Sequence, residues 1–282
     1  MFIQKASGER EPFDEHKLRR SLRRAHIPYQ YHDEAVEEVK RMLHEGTTTK
    51  DIYQRVSEYL NVRHPAGACM YNLKQSIFEL GPSGYPFERY IGKLLERKGY
   101  KTQVSTIIRG KCVMHEIDVI AEKGQEHYMV ECKFHNQQGL RSDVKVALYV
   151  YARYLDVLNA WLAREPASER TQLHQGWVIT NTKFSSDAIQ YGQCVGMKMV
   201  GWNYPEENNL QDLIEEEGLH PVTSLSSLDK SQKQMLLDRD IVLATDLESN
   251  LLLQQEMSLP METRRRLGEE FVALKNCKIG GR

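Results

Sequence analysis

Three side chains near the middle of this 282-residue sequence could together do hydrolytic chemistry: Asp118, Glu131 and Lys133. In His115-Glu116-Ile117-Asp118-Val119-Ile120-Ala121, strand alternation sets Glu116 and Asp118 on one face and Ile117, Val119 and Ala121 on the other. In Tyr128-Met129-Val130-Glu131-Cys132-Lys133, Tyr128, Val130 and Cys132 share a face, and Glu131 and Lys133 take the opposite one with Met129. If the two strands pair, two carboxylates and an ammonium converge on one patch of sheet. Hard cations such as Mg2+ or Mn2+ want oxygen ligands, typically one or two carboxylates with water and phosphate completing the set. A cation held by Asp118, Glu131 and the peptide carbonyl of Cys132 is expected to activate water against a phosphodiester. Lys133 would orient that water and offset phosphate charge. A Glu-x-Lys pair alone on a strand is ordinarily a solvated ion pair. The acid-bearing neighbour strand, the spacing and the apolar counter-face carry this set beyond that reading. His115 and His135 read as structural or exposed, and the Cys132 thiol as a small buried hydrophobe.

The elements that must position these residues alternate along the middle of the chain. Phe87, Tyr90, Ile91, Leu94 and Leu95 line one face of a helix ending at Gly99. Strand patterns follow at Thr102 to Arg109, Cys112 to Ala121 and His127 to Phe134, then a long helix over roughly Ser142 to Ala163. A strand at Gly176 to Thr180, a helix from Ser185 and a strand at Met197 to Trp202 complete an α-β-β-β-α-β-α-β order. That order predicts a mixed sheet flanked by helices. Two loops, Gly81-Pro82-Ser83-Gly84-Tyr85-Pro86 and Trp202-Asn203-Tyr204-Pro205, divide the chain into units at 1–82, 85–205 and 206–282. The first unit reads as a hairpin, Phe2 to Ala6 and Arg10 to Phe13 about a Ser7-Gly8 turn, set on helices. Asp14 is an N-cap for the first helix, to about His26, and helices at Asp33 to His44, Thr49 to Asn61 and Pro65 to Leu80 follow. The last unit reads as short helices, chiefly Lys230 to Asp238, Asp246 to Glu256 and Met261 to Leu274.

Composition narrows the partners. The chain carries 38 basic and 39 acidic residues. Residues 1–84 hold 13 basic and 12 acidic side chains, residues 85–205 hold 16 and 12, and residues 206–282 hold 9 and 15. The middle unit is therefore the most basic although it contains the acidic cluster, and a polyanion is expected to bind there. Val144 to Ala163 is the greasiest stretch, but Lys145, Arg153 and Asp156 interrupt it, so it reads as an amphipathic helix and no membrane association is expected. Cysteines at 69, 112, 132, 194 and 277 form no CxxC pair, which suits a reducing cytoplasm.

Aspartate followed after about a dozen residues by Glu-x-Lys is the pattern of PD-(D/E)xK nucleases. The match extends through Phe87-Glu88, Glu116-Ile117-Asp118-Val119-Ile120, Val130-Glu131-Cys132-Lys133 and Trp177-Val178-Ile179-Thr180-Asn181-Thr182-Lys183-Phe184-Ser185-Ser186-Asp187-Ala188. Residues 85–205 in this way resemble the Mrr-like branch of restriction endonucleases. The resemblance implies DNA as substrate, Asp118 and Glu131 as metal ligands and Lys133 as the catalytic lysine. Glu88 matches an acid that often completes such sites, and is otherwise a boundary residue of its helix. Many relatives have a glycine-rich run before the aspartate, where this chain has Met114-His115-Glu116. Glu116 is thereby a candidate extra ligand, and the number of metals stays open.

Phe2-Ile3-Gln4-Lys5, Ser7-Gly8-Glu9-Arg10-Glu11-Pro12-Phe13-Asp14 and Lys17-Leu18-Arg19-Arg20-Ser21-Leu22 resemble the ATP-cone, a nucleotide-binding regulatory module. The resemblance implies ATP or dATP as a regulatory ligand, with Lys5, Glu11 and Lys17 as contacts. A basic first helix facing a hairpin suits a triphosphate. No GxxxxGK[ST] run occurs, so sensing is expected and hydrolysis is not. Val222-Thr223-Ser224-Leu225 through Ile241 loosely resembles a degenerate helix-hairpin-helix module, with Asp238-Arg239-Asp240-Ile241 where the glycine hairpin would lie; a packing or dimerisation element fits equally. The sequence thus predicts an α/β (α+β) multidomain protein, a mixed-sheet endonuclease-like core between an ATP-cone and a helical C-terminal unit, acting as a nucleotide-regulated, metal-dependent DNA endonuclease. The alternatives are a non-catalytic, ATP- or dATP-gated DNA-binding regulator, or an assembly protein whose homo-oligomeric state responds to nucleotide.

Overall fold

The structure is a computed structural model that describes residues 1–5, 8–164 and 172–276. Ala6, Ser7 and Cys277, which figure in the hairpin turn and the cysteine pattern, lie outside the described residues. Strands β1 (Phe2–Gln4) and β2 (Arg10–Pro12) pair antiparallel, with Ile3 opposite Glu11. Helix α1 (Glu15–Arg24) starts where Asp14 accepts the His16 N–H at 2.8 Å, and it buries Leu18 and Leu22. Helices α2 (His32–Met42), α3 (Thr49–Arg63) and α4 (Pro65–Phe78) follow. Thr48 and Asp51 cap α3 reciprocally, which sharpens its start. Ile3, Leu22, Val36, Val39, Val56 and Leu60 form the core of this unit.

Helix α5 (Tyr85–Arg97) buries its expected stripe, and Gly99, at φ +86°, lets the chain turn into the sheet. Strands β3 (Lys101–Arg109), β4 (Met114–Lys123) and β5 (Glu126–Lys133) form an antiparallel meander. After the short β6 (Arg141–Ser142), helix α6 (Val144–Arg164) crosses over to β7 (Gln172–Thr180), which runs parallel to β5. Strand β8 (Lys183–Phe184), helix α7 (Ser186–Cys194) and strand β9 (Lys198–Val200) complete the unit. The sheet order is β3-β4-β5-β7-β9, the mixed sheet the pattern predicts. Helix α5 covers one face, over Val119, Val130 and Ile179. Helices α6 and α7 cover the other, over Met129, Val178 and Met199.

The C-terminal unit holds α8 (Leu210–Glu217), α9 (Lys230–Asp238), α10 (Ala244–Ser249), α11 (Leu251–Glu256) and α12 (Met261–Asn276). Helix α8 is absent from the sequence reading, although Asn209 and Asp212 form a capping box at its start. The single helix expected over Asp246 to Glu256 is two helices, because Asn250 leaves the first and caps the second through the Leu253 N–H at 3.0 Å. The unit is fused to the central one: Leu73, Ile77, Phe87, Tyr90, Leu219, Val222, Leu236, Leu247 and Phe271 belong to one cluster. The buried Tyr90 hydroxyl donates to the Leu219 carbonyl at 2.7 Å, and Thr223 donates to the Ser76 carbonyl at 2.6 Å. Helix α4 is shared, with Ala68 and Met70 in the N-terminal core and Cys69, Leu73 and Ile77 in the central one. Among the described residues no helix is long and apolar enough to cross a membrane.

Candidate active site

The regular pairing of β4 with β5 runs from Lys123↔Glu126 to Val119↔Val130 and stops there. One step further Asp118 would stand opposite Glu131. Instead of closing another backbone rung, the Cys132 N–H donates to Asp118 Oδ2 at 2.7 Å. The strands therefore part at Asp118, and its carboxylate fills the gap. On the far side of β4, Ser105 takes a left-handed φ of +51°, inside a strand whose register on either side is regular. Strict alternation fails here, which corrects one expectation. Val119 and Ala121 pack toward α5, but Ile117 packs in the cluster under α6 and does not share their face.

The opening brings carboxylates together. Burial, and then the charge of Glu131, push the Asp118 carboxyl up to about 7 from an ordinary 3.8. Glu88, on the first turn of α5, bears on Asp118 and is itself raised, by burial first; the Ser105 hydroxyl donates to its Oε2 at 3.2 Å and opposes that shift. Glu116 is exposed, but its charge adds to the rise at Glu88. Lys133 ends β5 at the surface, and the Thr180 hydroxyl donates to its carbonyl at 2.7 Å. The Cys132 thiol is buried and pushed far above its ordinary value, as befits a packed side chain. Among the described residues no three of histidine, cysteine, aspartate and glutamate form a ready-made cation cage.

A buried cation also enters the site, from a residue that interrupts the apolar stretch of α6. Arg153, buried at 8% exposure, reaches from α6 to Glu131 and also donates to the Glu116 carbonyl. Its signal was present: it stands on the buried stripe of α6 with Ala147, Val150 and Val157, where an arginine needs an anionic partner. Ser105 carried no comparable signal. The two histidines each meet a neighbouring side chain. His115 Nε2 meets Asp156 Oδ2 at 2.8 Å, and His135 Nε2 meets the Ser142 hydroxyl at 3.0 Å. The same Asp156 takes the Cys112 and Val113 N–H groups, so β4 begins at Met114, later than expected.

In the N-terminal unit Lys5, Glu11 and Lys17 meet. Glu11 holds Lys17 at 2.8 Å and Lys5 at 2.9 Å, and its carboxyl is lowered chiefly by the Lys17 bond. Glu11 and Lys17 line a cavity of about 1040 Å3.

Comparison with known proteins matches three segments of the chain to families. Residues 1–70 match the ATP cone domain, residues 81–203 a family described as restriction endonuclease, and residues 220–274 one described as AF1548-like, C-terminal. An uncharacterized protein of Archaeoglobus fulgidus is 42% identical over 159 residues, which cover 56% of this chain and 84% of that protein. The crystal structure of AF1548, a protein of unknown function, superposes with a TM-score of 0.56 at 36% identity, covering 69% of this chain and all of that one, 100%. A restriction-endonuclease-like core preceded by an ATP cone is thus the architecture of the molecule.

Proposed function

The chain belongs to the same family as the Archaeoglobus fulgidus protein, and from its cone-plus-nuclease architecture we propose that it is a nucleotide-regulated, metal-dependent DNA endonuclease. The observation that carries this reading is the carboxylate of Asp118 in the gap between β4 and β5, with Glu131 beside it and Lys133 at the strand end. We assign residues 1–82 to nucleotide sensing through Lys5, Glu11 and Lys17, residues 85–205 to cleavage, and residues 206–282 to a helical support, in a cytoplasmic protein.

The donor chemistry fits a divalent cation. Burial first, and then the charge of Glu131, raise Asp118 to about 7, and a bound cation would offset both. Asp118, Glu131 and the Cys132 carbonyl would hold Mg2+ or Mn2+, with Glu88 and Glu116 as outer acids. Once bound, it would supply an activated water and offset charge at the scissile phosphate. The chain's own groups do the rest. The Cys132 N–H fixes the orientation of Asp118 through Oδ2. Lys133 Nζ, at the surface, can hydrogen-bond a phosphate oxygen or orient the attacking water. Thr180 secures the strand end that carries it.

A second reading draws support from Arg153, whose guanidinium already neutralises Glu131: the fold would then serve as a nucleotide-gated DNA-binding platform without cleavage. Plasmid incubated with Mg2+ or Mn2+ separates the two. Nicking by the wild type and its loss in Lys133→Ala is the expected result; equal nicking by both proteins would remove the assigned site.

A further inference from the structure

The 1040 Å3 cavity beside Glu11 and Lys17 is not enclosed by the N-terminal unit alone. Its near wall comes from that unit: Lys17 on α1, Lys50 on α3, and Tyr53 with Tyr71, whose rings stack at 5.2 Å and 16°. Its second wall is Gln137 and Gln138, in the loop that leaves β5 four and five residues after Lys133. Its third is Thr223, Ser226 and Lys233 of the C-terminal unit. The volume lies at the upper end of small-molecule sites, which run to roughly 1,000 Å3, so the cavity has room for a ligand of nucleotide size. The chemistry also divides by wall. Aromatic rings with Lys17 and Lys50 lie on one side, and the Gln137 and Gln138 amides with Lys233 on the others. Glu11, Asp14, Glu58 and Glu79 line the cavity too, with Glu11 holding Lys17 at 2.8 Å and Glu79 near Lys233 at 3.6 Å, so a bound triphosphate would take these lysines over from carboxylates.

We propose that a nucleoside triphosphate in this cavity is clasped by all three units at once, and that it acts on the cleavage site through the loop following Lys133. This rests on the nucleotide-sensing part of the proposed function. The mechanical path is short. The loop is already tied to the cavity wall, since Gln138 Nε2 donates to Gln75 Oε1 of α4 at 3.2 Å. At its other end Phe134 packs on Phe87 at 5.5 Å, and His135 exchanges two hydrogen bonds with the Asn181 side chain, at 2.9 and 2.8 Å. A ligand that draws on Gln137 and Gln138 therefore pulls on the segment that ends β5. Helix α4 cannot swing as a hinge, because its two faces are built into two cores. Information is passed across the cavity rather than by rigid movement of the first unit. The C-terminal unit gains a role in this scheme: it closes the third wall, where Lys233 now faces Glu79 at 3.6 Å.

Hydrogen exchange of the full chain with and without ATP, together with calorimetric titration of ATP, tests the proposal. ATP is expected to slow exchange in residues 134–140 and 222–233 as well as in the N-terminal unit. Gln138→Ala and Lys233→Ala, made separately, are each expected to weaken ATP binding by about fivefold to tenfold, the effect of one polar contact. Both variants replace side chains at the cavity rim, and their thermal melts report whether folding is kept. Protection confined to residues 1–70 in the wild type, with both variants binding ATP as tightly as wild type, would overturn the three-walled clasp. No ATP binding by the wild type would instead remove the nucleotide-sensing reading, and the clasp with it. Neither readout depends on cleavage, so the endonuclease assignment is tested apart.

Discussion

Replacing Asp118 by asparagine sets the cost of the cleavage site against the stability of the fold. The carboxyl is raised to about 7 from an ordinary 3.8, first by burial and then by Glu131. A raised carboxyl binds its proton more tightly in the folded chain than in the unfolded one. Stability linked to Asp118 is therefore intact below the unfolded value near 3.8 and is lost as pH rises through about 7. At 1.36 kcal/mol per tenfold, the full gap corresponds to about 4 kcal/mol. Asparagine keeps an oxygen to accept the Cys132 N–H but sets an amide beside Glu131 and its arginine, so a net gain of about 1–3 kcal/mol is the reasonable expectation. In a chain of this length that is a rise in melting temperature of roughly 2–10 °C. The assay is thermal unfolding in EDTA at about pH 8 and about pH 4.5. Asp118→Asn should melt higher than wild type at the upper pH, and the difference should shrink toward zero at the lower. Millimolar Mg2+ should then raise the wild type alone and narrow the gap, while the variant cleaves no DNA. A variant that melts at or below wild type at pH 8 in EDTA, or whose difference is the same at both pH values, would refute the account of Asp118 as crowded buried charge.

Three further outcomes follow from the same contacts. Lys133→Ala should lower plasmid cleavage by roughly 10²–10³-fold while DNA affinity, read by fluorescence anisotropy, changes far less. Arg153→Ala leaves Glu131 beside Asp118 without its cation and should cost about 3 kcal/mol in EDTA; urea unfolding with added Mg2+ should recover part of the loss, and equal loss with and without metal would argue against a shared site. Tyr90→Phe strands the Leu219 carbonyl in the core between α5 and the C-terminal unit and should cost about 1–3 kcal/mol. Its urea transition should stay single, because that core is continuous; a new separate transition for the C-terminal unit would contradict the packing.

The parts of the fold that were legible in advance are those in which one element's own pattern decides its surroundings. Period-2 runs marked β4 and β5, whose Asp118 and Glu131 bear on one another while Lys133 ends β5, and the apolar stripe from Phe87 to Leu95 marked the helix beneath them. Alternation failed at Ile117 because the gap filled by Asp118 is a property of two strands parting, which no single strand's pattern records. Arg153 shows the same limit from the other side. Its place on the buried stripe of α6 was readable, but its partner depends on where α6 crosses β5. The C-terminal unit was least legible, since its short capped helices bury their apolar faces against α4 and α5 rather than against one another alone. Its acidic balance argued against phosphate contact when the unit was weighed by itself. Lys233 comes to share a cavity with Lys17 and Lys50 only in the folded chain, so the proposed clasp depends on the local composition of one wall, which a unit's net charge averages away.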